Sequence, residues 1–459
     1  MTDHDCRVAV IGGGITGLAA AHALLTDDRP VQVVLYEADD RIGGKIRTTP
    51  FAGHPAIDEG PDAFLARLPW GTELAREVGL GDELVSPVAG KAAVWFDQLH
   101  DIPEGLLLGM PTDVLKLARS RLLSWPGKAR AALEPLRRRT SLEPDSLGGY
   151  VRARFGDEVH ERLVDPLVGS IYAADTDRFS LAAVPQIADL ASRSRSVLLA
   201  ARKTPRATVA AGPVFYAPRR GMGALADATA RAIRDAGGEI RTGARVSELA
   251  SDGASWRVDG ERFDAVVLAC PAPAAARLVA GLSAGVDAAT GMATIDAADV
   301  AIVTLEIDPA DWPEHLHGLS GYLVPKPVQR LVTAASFGSQ KWRHWDDGRG
   351  VVLRVSLGRD GLPVLDRSDE QLLAAAVDEV GHHLGLTVQP RHARVSRWAG
   401  AFPQYRPHHA AHIAVIESAL PSGLVVAGAG YHGIGVPACI NSARRAARTT
   451  LDRALPVAE

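Results

Sequence analysis

Residues 8–24 read VAVIGGGITGLAAAHAL, a short β-favouring run, a glycine cluster, and then an apolar run at helical spacing. Gly12, Gly14 and Gly17 form a GxGxxG between a predicted strand and a predicted helix, the setting in which this pattern holds a dinucleotide. Gly12 lets the strand turn tightly, Gly14 lets the backbone approach a pyrophosphate, and Gly17 lets the helix pack on the strand; Gly13, Ile15 and Thr16 complete the turn. The phosphates then meet the free amide hydrogens and the dipole of the helix N-terminus. A second strand pattern, VQVVLYE at 31–37, ends on Glu37. An acid about twenty residues past the glycines accepts both hydroxyls of an adenosine ribose, and it disfavours a 2′-phosphate, hence NADP.

The chain has 459 residues, 47% hydrophobic and 23% charged, enough for roughly two to four globular domains. No run reaches the roughly 18 unbroken apolar residues of a spanning helix. The polar start MTDHDCRVAVIGGG leaves no room for a signal peptide, so a soluble, cytoplasmic protein is expected. Cys6, Cys270 and Cys439 lie far apart without a CxxC, which excludes a disulfide framework and a structural zinc site, and no metal is expected. A net charge of -4 gives no case for nucleic acid. The middle of the chain is nevertheless basic, through Lys116, Arg119, Arg121, Lys128, Arg130, Arg137, Arg138 and Arg139, and again through Arg193, Arg195, Arg202, Lys203, Arg206, Arg219 and Arg220. Such stretches suit an anionic ligand, an acidic partner or a membrane surface, with solvated helix faces as the plain alternative.

Beyond the first βαβ unit, MGALADATARAIRDAGG at 222–238 has apolar residues at helical spacing and ends in glycines, the expected helix stop. EIRTGARVSEL follows as a strand pattern, then WRVDGERFDAVVLAC as a hairpin turning at Asp259-Gly260 before a buried strand. GLVVAGAG at 423–430 is another buried strand meeting glycines, and an amphipathic helix is predicted over 437–455. These separated parts predict one nucleotide-binding sheet. Between them, 111–205 is helical in pattern, whereas 285–395 alternates the strand runs DVAIVTLEI and GVVLRVSLG with the helix DEQLLAAAVDEVGHHLG.

EADDRIGGKIRT at 37–48 places a second glycine turn, Gly43-Gly44, directly after the ribose-binding acid, with Arg41 and Lys45 beside it. It resembles the second signature of the FAD-dependent amine oxidase superfamily, in which paired turns enclose the pyrophosphate and flavin end of FAD. YHGIGVPACINSARRAA at 431–447 is similar to that superfamily's third FAD contact, through Ile434, Gly435 and Val436 at a helix start. Within the superfamily, three stretches resemble the bacterial, Gram-positive-type coproporphyrinogen III oxidase and protoporphyrinogen oxidase family. They are IDEGPDAFL at 57–65, YVRARFGDEVHERLVDPLVGSIYAADTDRFS at 150–180 and YAPRRGMGALADAT at 216–229.

The resemblance implies an α/β flavoprotein of the glutathione-reductase/hydroxylase type. A discontinuous Rossmann-like FAD-binding domain is expected at 1–90, 206–285 and 391–459, and a mixed-sheet substrate domain at 91–110 and 286–390. The helical insert at 111–205 corresponds to the membrane-binding domain of relatives. The resemblance also implies that Gly60, Pro61, Asp62, Ala63, Val246 and Trp398 contact FAD. The flavin is expected to be noncovalent, because the cysteine that carries it in monoamine oxidases has no counterpart at Cys439.

The implied reaction is oxidation of coproporphyrinogen III to coproporphyrin III in coproporphyrin-dependent heme b synthesis. It removes six electrons in three two-electron steps, with flavin N5 as hydride acceptor, molecular oxygen as oxidant and hydrogen peroxide as by-product. Protoporphyrinogen IX oxidation and amine oxidation are the alternatives. Aromatisation of the product supplies a driving force, so no strong acid or base is required of the protein. His432 and Lys341 are the catalytic candidates, against plainer roles as a packed histidine and a surface lysine. Ile171 and Tyr172 are candidates to pack on the macrocycle or, equally, to sit in a core. The basic middle favours four propionates over two, since each needs a cation or amide when partly buried. A ferrochelatase is a candidate product acceptor. The basic helices permit peripheral membrane contact, a soluble enzyme being favoured, and no pattern fixes an oligomeric state.

Overall fold

A computed structural model describes residues 6–203, 212–253 and 255–455. The basic Arg206 lies outside the described residues, and so do the side chains of Arg202 and Lys203. The opening stretch forms the strand Cys6–Ile11 and the helix Ile15–Leu25, and Val31–Tyr36 pairs parallel to the first strand. Both strands are buried toward their C-terminal ends because helices cover the sheet, which is why they read as continuous apolar runs. The sheet has five parallel strands in the spatial order Glu239–Arg241, Val31–Tyr36, Cys6–Ile11, Ala265–Leu268 and Leu424–Val426. The first helix and the C-terminal helix Val436–Ala454 meet in one core that holds Leu18, Ala19, Ile440 and Ala443. The Asp259-Gly260 turn is present, both residues at positive φ, closing the hairpin of Trp256–Val258 with Glu261–Phe263.

A second sheet has seven strands, ordered His392–Pro403, Ala297–Ile307, Val351–Leu357, Val332–Phe337, Leu319–Leu323, Lys91–Trp95 and Leu99–Asp101. It is mixed, because Leu319–Leu323 runs parallel to Lys91–Trp95 while its other pairings are antiparallel. Ala301, Val303, Leu305 and Ile307 alternate into a core shared with the helix Asp369–Leu384. The intervening Val300, Ile302, Thr304 and Glu306 therefore face the other side of the sheet.

The expected division at 390 needs correcting. His392–Pro403 is not part of the five-stranded sheet but an edge strand paired along Ala297–Ile307. Its charged residues, Arg394 and Arg397 among them, hid it as an apolar strand.

The insert runs as short helices from Val114 to Lys203. Its core gathers Val151, Phe155, Leu163, Val164 and Phe179. One run, His160–Gly169, is π-helical and contains Pro166, whose missing N–H and ring disfavour the ordinary α ladder. Among the described residues no helix is long and apolar enough to cross a membrane.

Candidate functional site

The two glycine turns are joined. Gly14 and Gly43 form an isolated parallel bridge, and the Gly43 N–H donates to the Gly13 carbonyl at 2.8 Å. Three of these glycines are required by the protein itself. A Cβ on Gly17 would stand 1.8 Å from the Gly12 carbonyl oxygen, and Gly12 and Gly44 adopt φ of +114° and +55°. Gly14 differs, since a Cβ there meets nothing nearer than the Gly44 Cα at 4.0 Å. The space beside Gly14 is open, and the first helix has neither an acidic residue in its first turn nor a side-chain cap. Its amide end is therefore available to an anion.

Glu37 is held where its carboxylate faces that opening, accepting from the Gly13 N–H at 2.7 Å and the Asp39 N–H at 2.9 Å. The segment carrying Val246 is tied to the same end by Ala244 N–H to the Glu37 carbonyl at 2.8 Å. Arg41 braces the second turn from within, donating to the Gly44 carbonyl at 2.6 Å and to those of Ile42 and Ile46. Lys45 lies deep among protein atoms, yet its side chain opens onto free space. Burial lowers its pKa, with Cys439 opposing.

The loop at 60–63 closes on these turns. A Cβ on Gly60 would be 2.1 Å from the Lys45 carbonyl oxygen, and the Gly60 carbonyl accepts from the Arg354 guanidinium. Trp398 donates its indole N–H to the Glu59 carbonyl at 3.0 Å. Ala63 packs against the nucleotide-domain core, and Pro61 is half-buried beside Asp62. Asp62 receives the Lys341 ammonium at 2.8 Å and the Trp342 indole N–H at 3.0 Å, with Arg354 Nη1 at 3.5 Å. Burial would raise the Asp62 pKa, but Lys341 and then Arg354 outweigh it and hold the carboxyl well below the usual range. Lys341 is thus an ion-paired residue with its side chain 18% exposed, rather than a free surface lysine. Arg354 and Trp342 were not singled out from sequence; a charge inside the apolar run VVLRVSL was the one signal for Arg354.

The C-terminal helix starts after Gly433 and Gly435, at φ of +120° and +101°, with Pro437 in its first turn and no side-chain cap. A Cβ on Gly435 meets nothing within 4 Å, so this helix end also opens to free space. Cys439, one turn in, is buried beside Thr16 and Lys45, and burial pushes its thiol pKa up. Ile434 packs on the insert. His432 is engaged elsewhere, its Nε2 2.6 Å from the Glu417 carboxylate. Two open helix N-termini, two apposed glycine turns and a fixed carboxylate at one end fit a flavin dinucleotide.

The π-helical run ends at Gly169 and delivers Ile171, 50% exposed, and Tyr172, whose ring packs tilted at 4.8 Å and 46° against Phe179. A cavity of about 70 Å³ lies between Gly169, Ser170 and Ala173 of the insert and Val300, Ile302, Ser356 and Phe402 of the seven-stranded sheet. Insert and sheet are joined there by buried Asp165, which accepts from both Arg359 Nη atoms at 2.7 and 2.9 Å and from the Thr176 hydroxyl at 2.6 Å. Burial would raise the Asp165 pKa, but the Arg359 bonds prevail and depress it. A depressed carboxylate contributes stability above its unfolded pKa, about 3.9, that is lost as pH falls through the folded value. Asp165→Asn is expected to lower Tm near neutral pH and to flatten the fall of Tm below about pH 4, read by circular dichroism across pH. An unchanged acid limb would show that another group controls it.

Several basic residues of the insert have partners within the protein. Arg130 and Arg137 donate to carbonyls at 152–154, the C-terminal end of the helix Leu147–Phe155, and Arg139 to the Ser192 carbonyl. Lys116 pairs with Glu104, Arg193 with Asp189 and Arg220 with Glu83. Cations at helix C-termini satisfy orphan carbonyls and the dipole, so these charges have structural partners.

The sequence pattern of flavin containing amine oxidoreductases matches residues 15–451. The chain belongs to that family. Coproporphyrinogen III oxidase of Mycobacterium tuberculosis (strain H37Rv) is 35% identical over 96% of this chain and 97% of its own. The Bacillus subtilis protein of the same name is 29% identical over 98% and 99%. Among solved structures, an Exiguobacterium sp. 255-15 protein provisionally named protoporphyrinogen oxidase superposes with a TM-score of 0.85 at 28% identity, covering 97% of this chain and 98% of its own. The family uses a flavin, in keeping with the cleft, and its members share the α/β architecture with the large mixed sheet.

Proposed function

We propose that this chain oxidises coproporphyrinogen III to coproporphyrin III with noncovalently bound FAD and molecular oxygen, releasing hydrogen peroxide. The observation that carries it is full-length likeness to coproporphyrinogen III oxidases, 35% identical in the mycobacterial case, around a cleft built for a flavin dinucleotide. When bound, the flavin supplies the two-electron acceptor. The protein's part is placement. Gly12–Gly14, Gly43–Lys45 and the start of the C-terminal helix hold the dinucleotide, and Glu37 fixes the ribose. Trp398 is assigned to the flavin side with the 60–63 loop, and Ile171 and Tyr172 to the macrocycle. Lys341 and Arg354 keep Asp62 ionised at the edge of the cleft, so this carboxylate can hold a proton-bearing partner without itself taking the proton. Noncovalent attachment agrees with Cys439 lying inside the helix, buried and protonated.

Anaerobic mixing with either porphyrinogen tests the proposal. Flavin bleaching is expected to be faster with coproporphyrinogen III, and acid precipitation is expected to leave the yellow flavin in the supernatant. Bleaching by protoporphyrinogen IX alone would favour the second reading, protoporphyrinogen IX oxidation, which the name of the Exiguobacterium protein supports. Bleaching by neither would overturn both. The insert also exposes Leu115, Trp125 and Leu136 among its arginines, an observation that favours peripheral membrane contact. Co-sedimentation with anionic vesicles would establish it, and recovery in the supernatant would oppose it.

A further inference from the structure

We infer that Tyr405 is a positioning residue that couples the wall of the substrate cleft to the loop that meets the flavin. This rests on the assignment of residues 433–436 to flavin contact made above. Tyr405 follows the last-named edge strand and is buried, 4% exposed. Its ring lies between Phe179 of the insert, at 5.9 Å and 18° between planes, and His409 of the helix His409–Ser418, at 4.1 Å and 16°. Phe179 in turn packs tilted against Tyr172, whose ring is 6.4 Å from that of Tyr405. The Ser180 N–H, next to Phe179, donates to the Tyr405 carbonyl at 2.7 Å.

The hydroxyl faces the opposite direction chemically. It donates to the Ala429 carbonyl at 2.5 Å and accepts from the Gly433 N–H at 2.9 Å. These two groups, four residues apart, would close an ordinary helical turn on each other; here one phenol oxygen is interposed between them. Burial keeps the phenol protonated, so it can fill both roles. The arc it holds leads through Gly433 and Gly435 into the open N-terminus of the C-terminal helix. A ligand pressing on Tyr172 therefore displaces, through the buried Phe179 ring, the group that fixes this arc. By reciprocity, a porphyrin that favours one position of Tyr405 must change flavin affinity by the same factor as flavin changes the porphyrin's.

Flavin release from the holoenzyme, followed by green flavin emission with and without coproporphyrin III, tests the coupling. In the wild type the porphyrin is expected to change the release rate about fivefold. In Tyr405→Phe, which keeps the ring and removes both hydrogen bonds, basal release is expected to rise about tenfold and the porphyrin effect to vanish while porphyrin still binds. Phe179→Leu, which leaves the hydroxyl in place, is expected to keep basal release and lose the porphyrin effect. Should Tyr405→Phe fail to fold, Phe179→Leu decides the matter alone. A wild type that binds both ligands without the effect overturns the inference, and so does either variant with wild-type coupling. A purely structural Tyr405 would lower Tm without separating the two rates. A wild type that binds no flavin or no porphyrin instead refutes the functional assignment.

Discussion

Gly14→Val is expected to give a folded chain that purifies without yellow colour. The protein itself offers little resistance: Gly14 has an extended backbone, φ -70° and ψ 176°, that valine adopts, and its Cβ would have 4.0 Å of clearance from Gly44. What the isopropyl group would fill is the approach of a pyrophosphate to the first turn and to the free amides of the first helix. Flavin affinity should fall at least about a hundredfold, roughly 2.7 kcal/mol, while Tm in the flavin-free state stays close to that of stripped wild type. Gly17→Ala provides the contrast. Its Cβ would overlap the Gly12 carbonyl at 1.8 Å, so that variant should fail to fold rather than merely lose flavin. Flavin absorbance per protein and a thermal melt separate the two outcomes. A Gly14→Val protein with full colour would place the dinucleotide elsewhere.

The glycine turns and the place of Glu37 beside them were legible in sequence because their geometry is local. A strand, three glycines, a helix and an acid at fixed spacing carry the geometry with them, and even the distant 431–447 element shows its helix start through Gly435 and Pro437. Asp62 was placed by likeness, but its partners were not, because Lys341 and Trp342 are 279 and 280 residues away and nothing local announces the contact. The partners of the insert's arginines were hidden for a related reason. Charge density along a chain does not reveal that a guanidinium will turn back onto the carbonyls of a helix end, as Arg130 and Arg137 do. His432 sits beside the glycine loop 433–435 in sequence, yet Glu417 on the neighbouring helix claims its ring. The π-helical turn at 160–169 was invisible because apolar spacing near 3.6 and a wider turn are indistinguishable over ten residues; only Pro166 hinted at it.

The second large effect is expected from Glu134→Ala, and it should strike substrate binding while sparing the flavin. Glu134 and Arg154 are both wholly buried in the insert. The Arg154 Nε–H donates to the Glu134 carboxylate at 2.9 Å, and the same carboxylate receives the Ser196 hydroxyl at 2.5 Å and the Val197 N–H at 3.0 Å. One side chain thus links the turn at 134–136, the helix that leads to the π-helical run, and the start of the helix Val197–Lys203. Alanine would leave the buried Arg154 charge without its counter-ion and take the shared acceptor from the Ser196 hydroxyl and the Val197 and Leu198 N–H groups, a cost of about 3–5 kcal/mol. Replacing both Glu134 and Arg154 by methionine should recover much of that loss, since it is the orphaned charge rather than the absent attraction that destabilises. None of these groups touches the glycine turns, so the single variant should retain flavin and show faster hydrogen exchange confined to the insert. Ile171 and Tyr172 stand on that insert, and porphyrin affinity should therefore fall with it. Equal loss of flavin would mean that the insert and the nucleotide-binding half fold as one cooperative unit, and that the wall of the substrate cleft is not separable from the cofactor it faces.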